Sequence, residues 1–203
     1  MNAMRSNKIF FGIVGGGPNS WIGHVHRISA RFDNRYTLCA GVFSRNKNIS
    51  RKFGASLGLD PNRCYSNYSE MALKEAKRKD GIKVVAIMTP PSSHQRIAEK
   101  FIEKNINIIS DKPFAGDILQ AKKLYKKIKS NKRIKYALTH NYSAYPMVRE
   151  AKKMVELGKI GKVEYLNVEY IQDWSEGEKI TSKNAKRILK WKMDKSIVGC
   201  SAV

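Results

Sequence analysis

Short apolar runs alternate along the chain with segments whose apolar residues return at helical spacing. The runs at 9–14, 36–43, 84–88, 106–109 and 134–138 have the length and β-branched content of buried strands. Between them, three sets fall on helix faces: Val25, Ile28 and Phe32; Ile97, Ala98, Phe101 and Ile102; and Ile118, Leu119, Ala121, Leu124, Tyr125 and Ile128. Asp117 stands where an N-cap for the last of these belongs. Strands alternating with amphipathic helices predict an α/β fold, a doubly wound parallel sheet covered on both faces. Ligands of such sheets sit at the carboxyl ends of the strands, so the loops after each strand carry the search for function.

Beyond about residue 139 the rhythm changes. Met147, Val148, Ala151, Met154 and Val155 predict a helix ended by Gly158, and the alternation of Val163, Tyr165, Asn167, Glu169 and Ile171 predicts a strand. The pattern divides the chain into a first domain at 1–138 and the start of an incomplete α+β second domain at 139–203. A helix and a strand cannot close a second core, so the expectation is a C-terminally truncated fragment.

Composition narrows the class. An apolar share of 42% suits a globular protein. No apolar stretch reaches the ~20 residues of a membrane span, and no cleavage pattern follows the N-terminal run, which points to the cytoplasm. Cys39, Cys64 and Cys200 are odd in number and widely spaced, the pattern of reduced thiols rather than of a disulfide frame or a metal site. The 39 Lys and Arg against 17 Asp and Glu give a net charge of +22. The lysines are spread along helices (Lys74, Lys77, Lys79; Lys122, Lys123, Lys126, Lys127, Lys129; Lys152, Lys153) without an Arg cluster or aromatic ladder. That spread predicts no specific nucleic-acid partner, only attraction to polyanions that fades as salt rises.

The candidate chemistry lies at the strand ends. The first apolar run meets Gly15-Gly16-Gly17, and a helix pattern follows from Gly23. Strand, tight glycine turn and helix N-terminus are what a dinucleotide pyrophosphate needs. Gly15 and Gly17 fit the first two glycines of that fingerprint, and the third is Gly23, or Ser20 in strict register. The second strand ends at Ser44-Arg45 with no acid for a ribose hydroxyl, which favours NADP while leaving NAD open. Thr89-Pro90-Pro91-Ser92-Ser93-His94 follows the third apolar run: Ser92 or Ser93 can cap the next helix, and His94 either reaches a cofactor or sits on the surface. Lys112, in Ser110-Asp111-Lys112-Pro113, is either an ammonium aimed at the ligand crevice or a surface lysine paired with Asp111. Thr139-His140-Asn141-Tyr142 offers hydrogen-bonding groups for a polyol, or merely turn residues.

Taken in order, Gly12-Ile-Val-Gly-Gly-Gly with Trp21-Ile-Gly-His-Val-His26, Thr89-Pro90 with His94, Asp111-Lys112-Pro113, Gly158-Lys-Ile-Gly161-Lys-Val and Trp191-Lys-Met-Asp194 resemble the glucose–fructose oxidoreductase and inositol dehydrogenase (Gfo/Idh/MocA) family. The long glycine loop and Thr139-His140-Asn141-Tyr142 are similar to its branch of levoglucosan-dehydrogenase-like sugar dehydrogenases. The resemblance implies a Rossmann fold, an NAD or NADP cofactor, a sugar or cyclic-polyol substrate and a homo-oligomer for the full-length form. It implies cofactor contacts at Gly15, Gly17, Trp21, Ile22, Gly23, Ser44, Arg45, Thr89, Pro90, His94 and Lys112. It gives Lys112 the catalytic role of the lysine in the family's Glu-Lys-Pro motif, with Asp111 replacing the Glu, and His140, Asn141 and Tyr142 the substrate. The family's further catalytic Asp and His come from a segment expected to start near Val203, so the fragment alone is expected to be inactive.

Overall fold

A computed structural model describes residues 8–171 and Asp194. Five parallel strands, β1 (Ile9–Gly15), β2 (Tyr36–Val42), β3 (Val84–Met88), β4 (Asn107–Asp111) and β5 (Tyr136–Thr139), form one sheet in the order β2-β1-β3-β4-β5. The reversal of winding at β1 and β3 is the topological switch point of a Rossmann sheet. Helices α1 (Trp21–Arg31), α2 (Lys47–Ser56), α3 (Tyr68–Lys77), α4 (His94–Ile102) and α5 (Ile118–Ser130) connect the strands. The doubly wound expectation therefore holds.

Strand parity builds two cores. Val14, Val85, Ile87 and Ile108 point to one face, where Met71 and Ala72 of α3, Ile97 and Phe101 of α4 and Leu124 of α5 meet them. Phe11, Ile13, Val84, Ala86 and Met88 point to the other, against Ile22 and Ala30 of α1 and Phe53 of α2. One buried polar cluster ties β2, α3 and the turn before β3. Glu75, 1% exposed, accepts from Arg63 Nε and Nη2, the Tyr65 hydroxyl and the Ile82 amide. Arg63 also donates to Cys39 Sγ, and burial pushes that thiol up to about 11.

Several boundaries differ from expectation. Helix α1 starts at Trp21 rather than at Gly23, because Ser20 caps it. Strands β4 and β5 start later than the apolar runs: Ile106 and Ile134 are buried, but their side chains pack before the ladder begins. Helix α6 (Pro146–Glu156) forms as expected, and Gly158 follows it at φ 70°. The expected strand from Val163 to Ile171 does not form. Its alternating residues are all exposed and find no ladder partner among the described residues. Trp191, Lys192 and Met193 lie outside the described residues.

Candidate functional site

The carboxyl ends of β1, β3, β4 and β5 open onto one crevice of about 1570 Å³ between α1 and the segment that follows β5. Its first wall is the glycine turn. Gly15 and Gly16 hold φ 95° and 64°, values only glycine adopts without strain. A Cβ on Gly15 would stand 2.7 Å from the Met88 carbonyl oxygen, and one on Gly17 2.4 Å from that of Phe43. Bare backbone is thus the only chain that fits there. Ser20 Oγ accepts from the Gly23 amide at 3.1 Å, so Ser20 is the helix cap and Gly23 lies in the first turn. A Cβ on Gly23 would meet Gly16 Cα at 2.5 Å, which makes Gly23 the close-packing glycine of the turn. Buried Arg27, one helical turn further on, donates from Nη1 to the Gly16 carbonyl at 3.1 Å and stacks over Phe53. Ser20 takes up the Gly23 amide, which leaves the Trp21 and Ile22 amides of the first turn without an intrahelical acceptor, on residues that line the crevice.

The second wall comes from β3 and β4. Thr89, Pro90, Asp111 and Lys112 line the crevice, and the Lys112–Pro113 peptide is cis. Asp111 does not pair with Lys112. Its Oδ1 accepts from Thr139 Oγ1 at 2.7 Å, and among the described residues no ion pair joins it to the lysine. Lys112 is exposed and lines the crevice, and among the described residues no ion pair engages its ammonium. Asn141 and Tyr142 form the third wall together with Tyr170, whose hydroxyl lies 2.5 Å from that of Tyr142. The Tyr142 ring packs edge-on against both Tyr145 and Tyr170.

The crevice thus gathers Gly17, Trp21, Ile22, Thr89, Pro90, Lys112, Asn141 and Tyr142, with Gly15 and Gly23 behind the turn. Ser44, half-buried, and Arg45, exposed, stand at the end of β2 outside this lining, with Ser44 Oγ accepting from the Asn46 amide. His140 is exposed and also outside it. The expectation that His94 reaches a cofactor or lies on the surface is corrected. Its ring is fully buried, with Nε2 2.6 Å from the Thr89 carbonyl oxygen and Nδ1 2.9 Å from that of Pro113. Ser93 holds the cap position of α4 but makes no side-chain cap, because its hydroxyl bonds Thr89 Oγ1 and the Pro90 carbonyl.

Sequence reasoning singled out neither His26 nor Tyr170 as a site residue, and both line the crevice. Burial holds the His26 imidazole below its ordinary value of 6.5, partly countered by the Asp111 carboxylate. The signal for His26 was available: it lies one helical turn after Ile22, on the same face of α1.

Comparison with known proteins agrees with this geometry. Residues 9–140 match the family described as "Oxidoreductase family, NAD-binding Rossmann fold" (GFO_IDH_MocA). The uncharacterized oxidoreductase YfiI of Bacillus subtilis is 34% identical over 202 residues, 98% of this chain and 50% of that protein. Levoglucosan dehydrogenase of Pseudarthrobacter phenanthrenivorans is 35% identical over 122 residues, 60% of this chain and 29% of that protein. Among solved structures, an inositol dehydrogenase homolog from Azotobacter vinelandii, complexed with NADH and myo-inositol, superposes with a TM-score of 0.72 at 34% identity, covering 76% of this chain and 41% of that one. The chain spans half the length of the first of these relatives. Among the described residues no helix is long and apolar enough to cross a membrane.

Proposed function

The chain belongs to the Gfo/Idh/MocA family of oxidoreductases with an NAD-binding Rossmann fold, and from that premise we propose that its crevice serves the interconversion of a sugar or cyclic-polyol alcohol and its ketone. The supporting observation is convergence: the glycine turn, the N-terminus of α1 and the Lys112 ammonium face one space at the ends of β1, β3 and β4. A nicotinamide dinucleotide suits that wall, because Gly17 and the start of α1 line the crevice at the carboxyl edge of the sheet, where backbone can approach a pyrophosphate. When bound, it supplies the hydride acceptor or donor of the reaction.

The chain's own residues divide the remaining work. The turn amides and the first turn of α1 hold the pyrophosphate. Thr89 and Pro90 form the side wall, and Trp21 covers the mouth. Lys112 donates to the substrate hydroxyl, fixes its orientation and stabilises the oxyanion as the proton leaves. Asn141 and Tyr142 hydrogen-bond further hydroxyls, with His140 at the rim of the same loop. In this reading residues 1–138 are the cofactor domain and 139–203 open the substrate domain. At the end of β2, Ser44 and Arg45 favour a 2′-phosphate, hence NADP over NAD.

The names of the relatives support this substrate class, since one is a levoglucosan dehydrogenase and another was crystallised with myo-inositol. The test is a fluorescence titration of the full-length protein with NADH and NADPH, followed by turnover on a panel of sugars and cyclic polyols. Lys112→Ala should keep cofactor binding and slow turnover by about 100-fold or more, to a residual rate that single-turnover measurements read. Absence of binding to either cofactor would sink the proposal, and binding without turnover on any polyol would sink its enzymatic half.

A further inference from the structure

His94 does no chemistry in the crevice, yet it occupies the junction of the two loops that form the crevice's second wall. The loop after β3 carries Thr89 and Pro90, and the loop after β4 carries Lys112 and Pro113. The ring lies between them, 0% exposed, with Nε2 2.6 Å from the Thr89 carbonyl oxygen and Nδ1 2.9 Å from the Pro113 carbonyl oxygen. A carbonyl oxygen only accepts, so the ring is the donor in either bond, and the nitrogen that carries the proton decides which loop is held more tightly. The loops also approach each other directly: a Cβ on Gly116 would stand 2.9 Å from Ser92 Cα.

We propose that His94 is a positioning residue whose buried imidazole ties the Thr89 carbonyl to the Pro113 carbonyl and so fixes where Lys112 stands relative to the Thr89–Pro90 wall. The proposal rests on the reading of Lys112 as the residue that handles the substrate hydroxyl. The lever is short. Pro113 directly follows Lys112, its ring fixes φ, and its carbonyl is the atom His94 holds. Losing that anchor lets the lysine backbone drift, and a drift of about 1 Å at a reacting group lowers rate by roughly 100-fold. His94 does not line the crevice, and its ring nitrogens lie against the Thr89 and Pro113 carbonyls, so its effect passes through the loops.

A double-mutant cycle on the full-length protein separates this role from ordinary core packing. His94→Phe keeps a buried aromatic ring and removes both ring nitrogens. The expected result is a fall in kcat of about tenfold or more, with the Kd for NADH and the substrate KM changed by less than about threefold. In a Lys112→Ala background, read by single-turnover NADH formation, the same substitution should add less than about twofold, because the residue it acts through is gone. Equal fold losses in both backgrounds, or unchanged turnover in His94→Phe, would overturn the proposal. If His94→Phe does not fold, His94→Leu, a buried side chain of similar volume with no donor, takes its place in the cycle with the same expectation. Failure of both variants to fold would make His94 a folding residue and overturn the proposal too. A wild type that turns over no polyol defeats the reading of the crevice and this proposal with it. A wild type that turns over, with an additive cycle, defeats this proposal alone.

Discussion

Replacing Gly23 by alanine would set a methyl carbon 2.5 Å from Gly16 Cα and 2.6 Å from the Gly16 carbonyl oxygen. Carbon contacts are comfortable only near 3.5–4.0 Å, so the glycine turn and the first turn of α1 must separate by about 1 Å. Overpacking of this kind costs about 1–3 kcal/mol, and the better helix propensity of alanine returns about 1 kcal/mol. The net loss of stability is therefore at most about 2 kcal/mol, and the variant folds. The cofactor feels the shift more strongly. The amides that would hold the pyrophosphate sit on the two pieces that separate, and a hydrogen bond to a charged group contributes about 1.5–3 kcal/mol. One such bond lost weakens binding by roughly tenfold, two by about 100-fold or more. The assay is NADH fluorescence titration alongside a thermal melt. Ser20→Ala is the control, because it removes the Oγ cap, worth about 1 kcal/mol, without inserting an atom between loop and helix. A folded Gly23→Ala protein that binds NADH within about twofold of wild type would refute the argument. So would a Ser20→Ala protein that loses more affinity than Gly23→Ala.

The buried cluster at Glu75 makes a stability prediction: Glu75→Gln leaves the Arg63 guanidinium buried with only half-exposed Asp80 as counter-charge, and urea unfolding should show a loss of about 3 kcal/mol. A loss under about 1 kcal/mol would show that Asp80 or water suffices. Because burial depresses the His26 pKa in the fold, the unfolded chain takes up that proton first; this contribution to stability is present above about pH 6.5 and lost as pH falls below it. Urea midpoints at about pH 7.5 and 5.5 should converge more closely in His26→Asn than in wild type, and an unchanged pH dependence would discard the assignment. At the end of β2, Arg45→Ala should weaken NADPH by roughly tenfold and leave NADH unchanged, and equal losses for both would remove Arg45 from the 2′-phosphate site.

The sheet was legible because each strand is a compact apolar run bounded by polar residues and turn formers. Helices α2 and α3 were not. Beside Phe53, the inward face of α2 is built from Ser50 and Gly54, which carry no hydrophobic signal, yet both are buried because β2 and the following turn approach closely. Gly54 leaves space for Cys64 Sγ, 2.1 Å from where its Cβ would be, and Ser50 Oγ bonds the Tyr65 carbonyl. Small residues that admit a neighbouring backbone look like surface residues in a hydropathy pattern. The strand expected at Val163–Ile171 failed for the opposite reason: alternation states which faces a strand would present, but the partner that completes its ladder is not written in those residues.

The same distinction explains which parts of the crevice could be read. Thr89 and Lys112 follow directly on β3 and β4, so the backbone itself carries them to the carboxyl edge of the sheet, whatever their side chains do. His94 comes five residues after Thr89, on the first turn of a helix, and helix phase decides where it points. Ile97, Ala98 and Phe101 lie three, four and seven positions on and all face the core, which puts His94 on the buried stripe. Arg27 repeats the logic, four residues after Gly23 on the face of α1 that meets the glycine turn. Strand-end position therefore identifies groups placed at the crevice, and helix phase identifies polar groups turned inward against the loops that line it. A polar residue on an otherwise apolar helix stripe next to a strand-end loop is accordingly best tested as a holder of that loop before it is tested as a ligand contact.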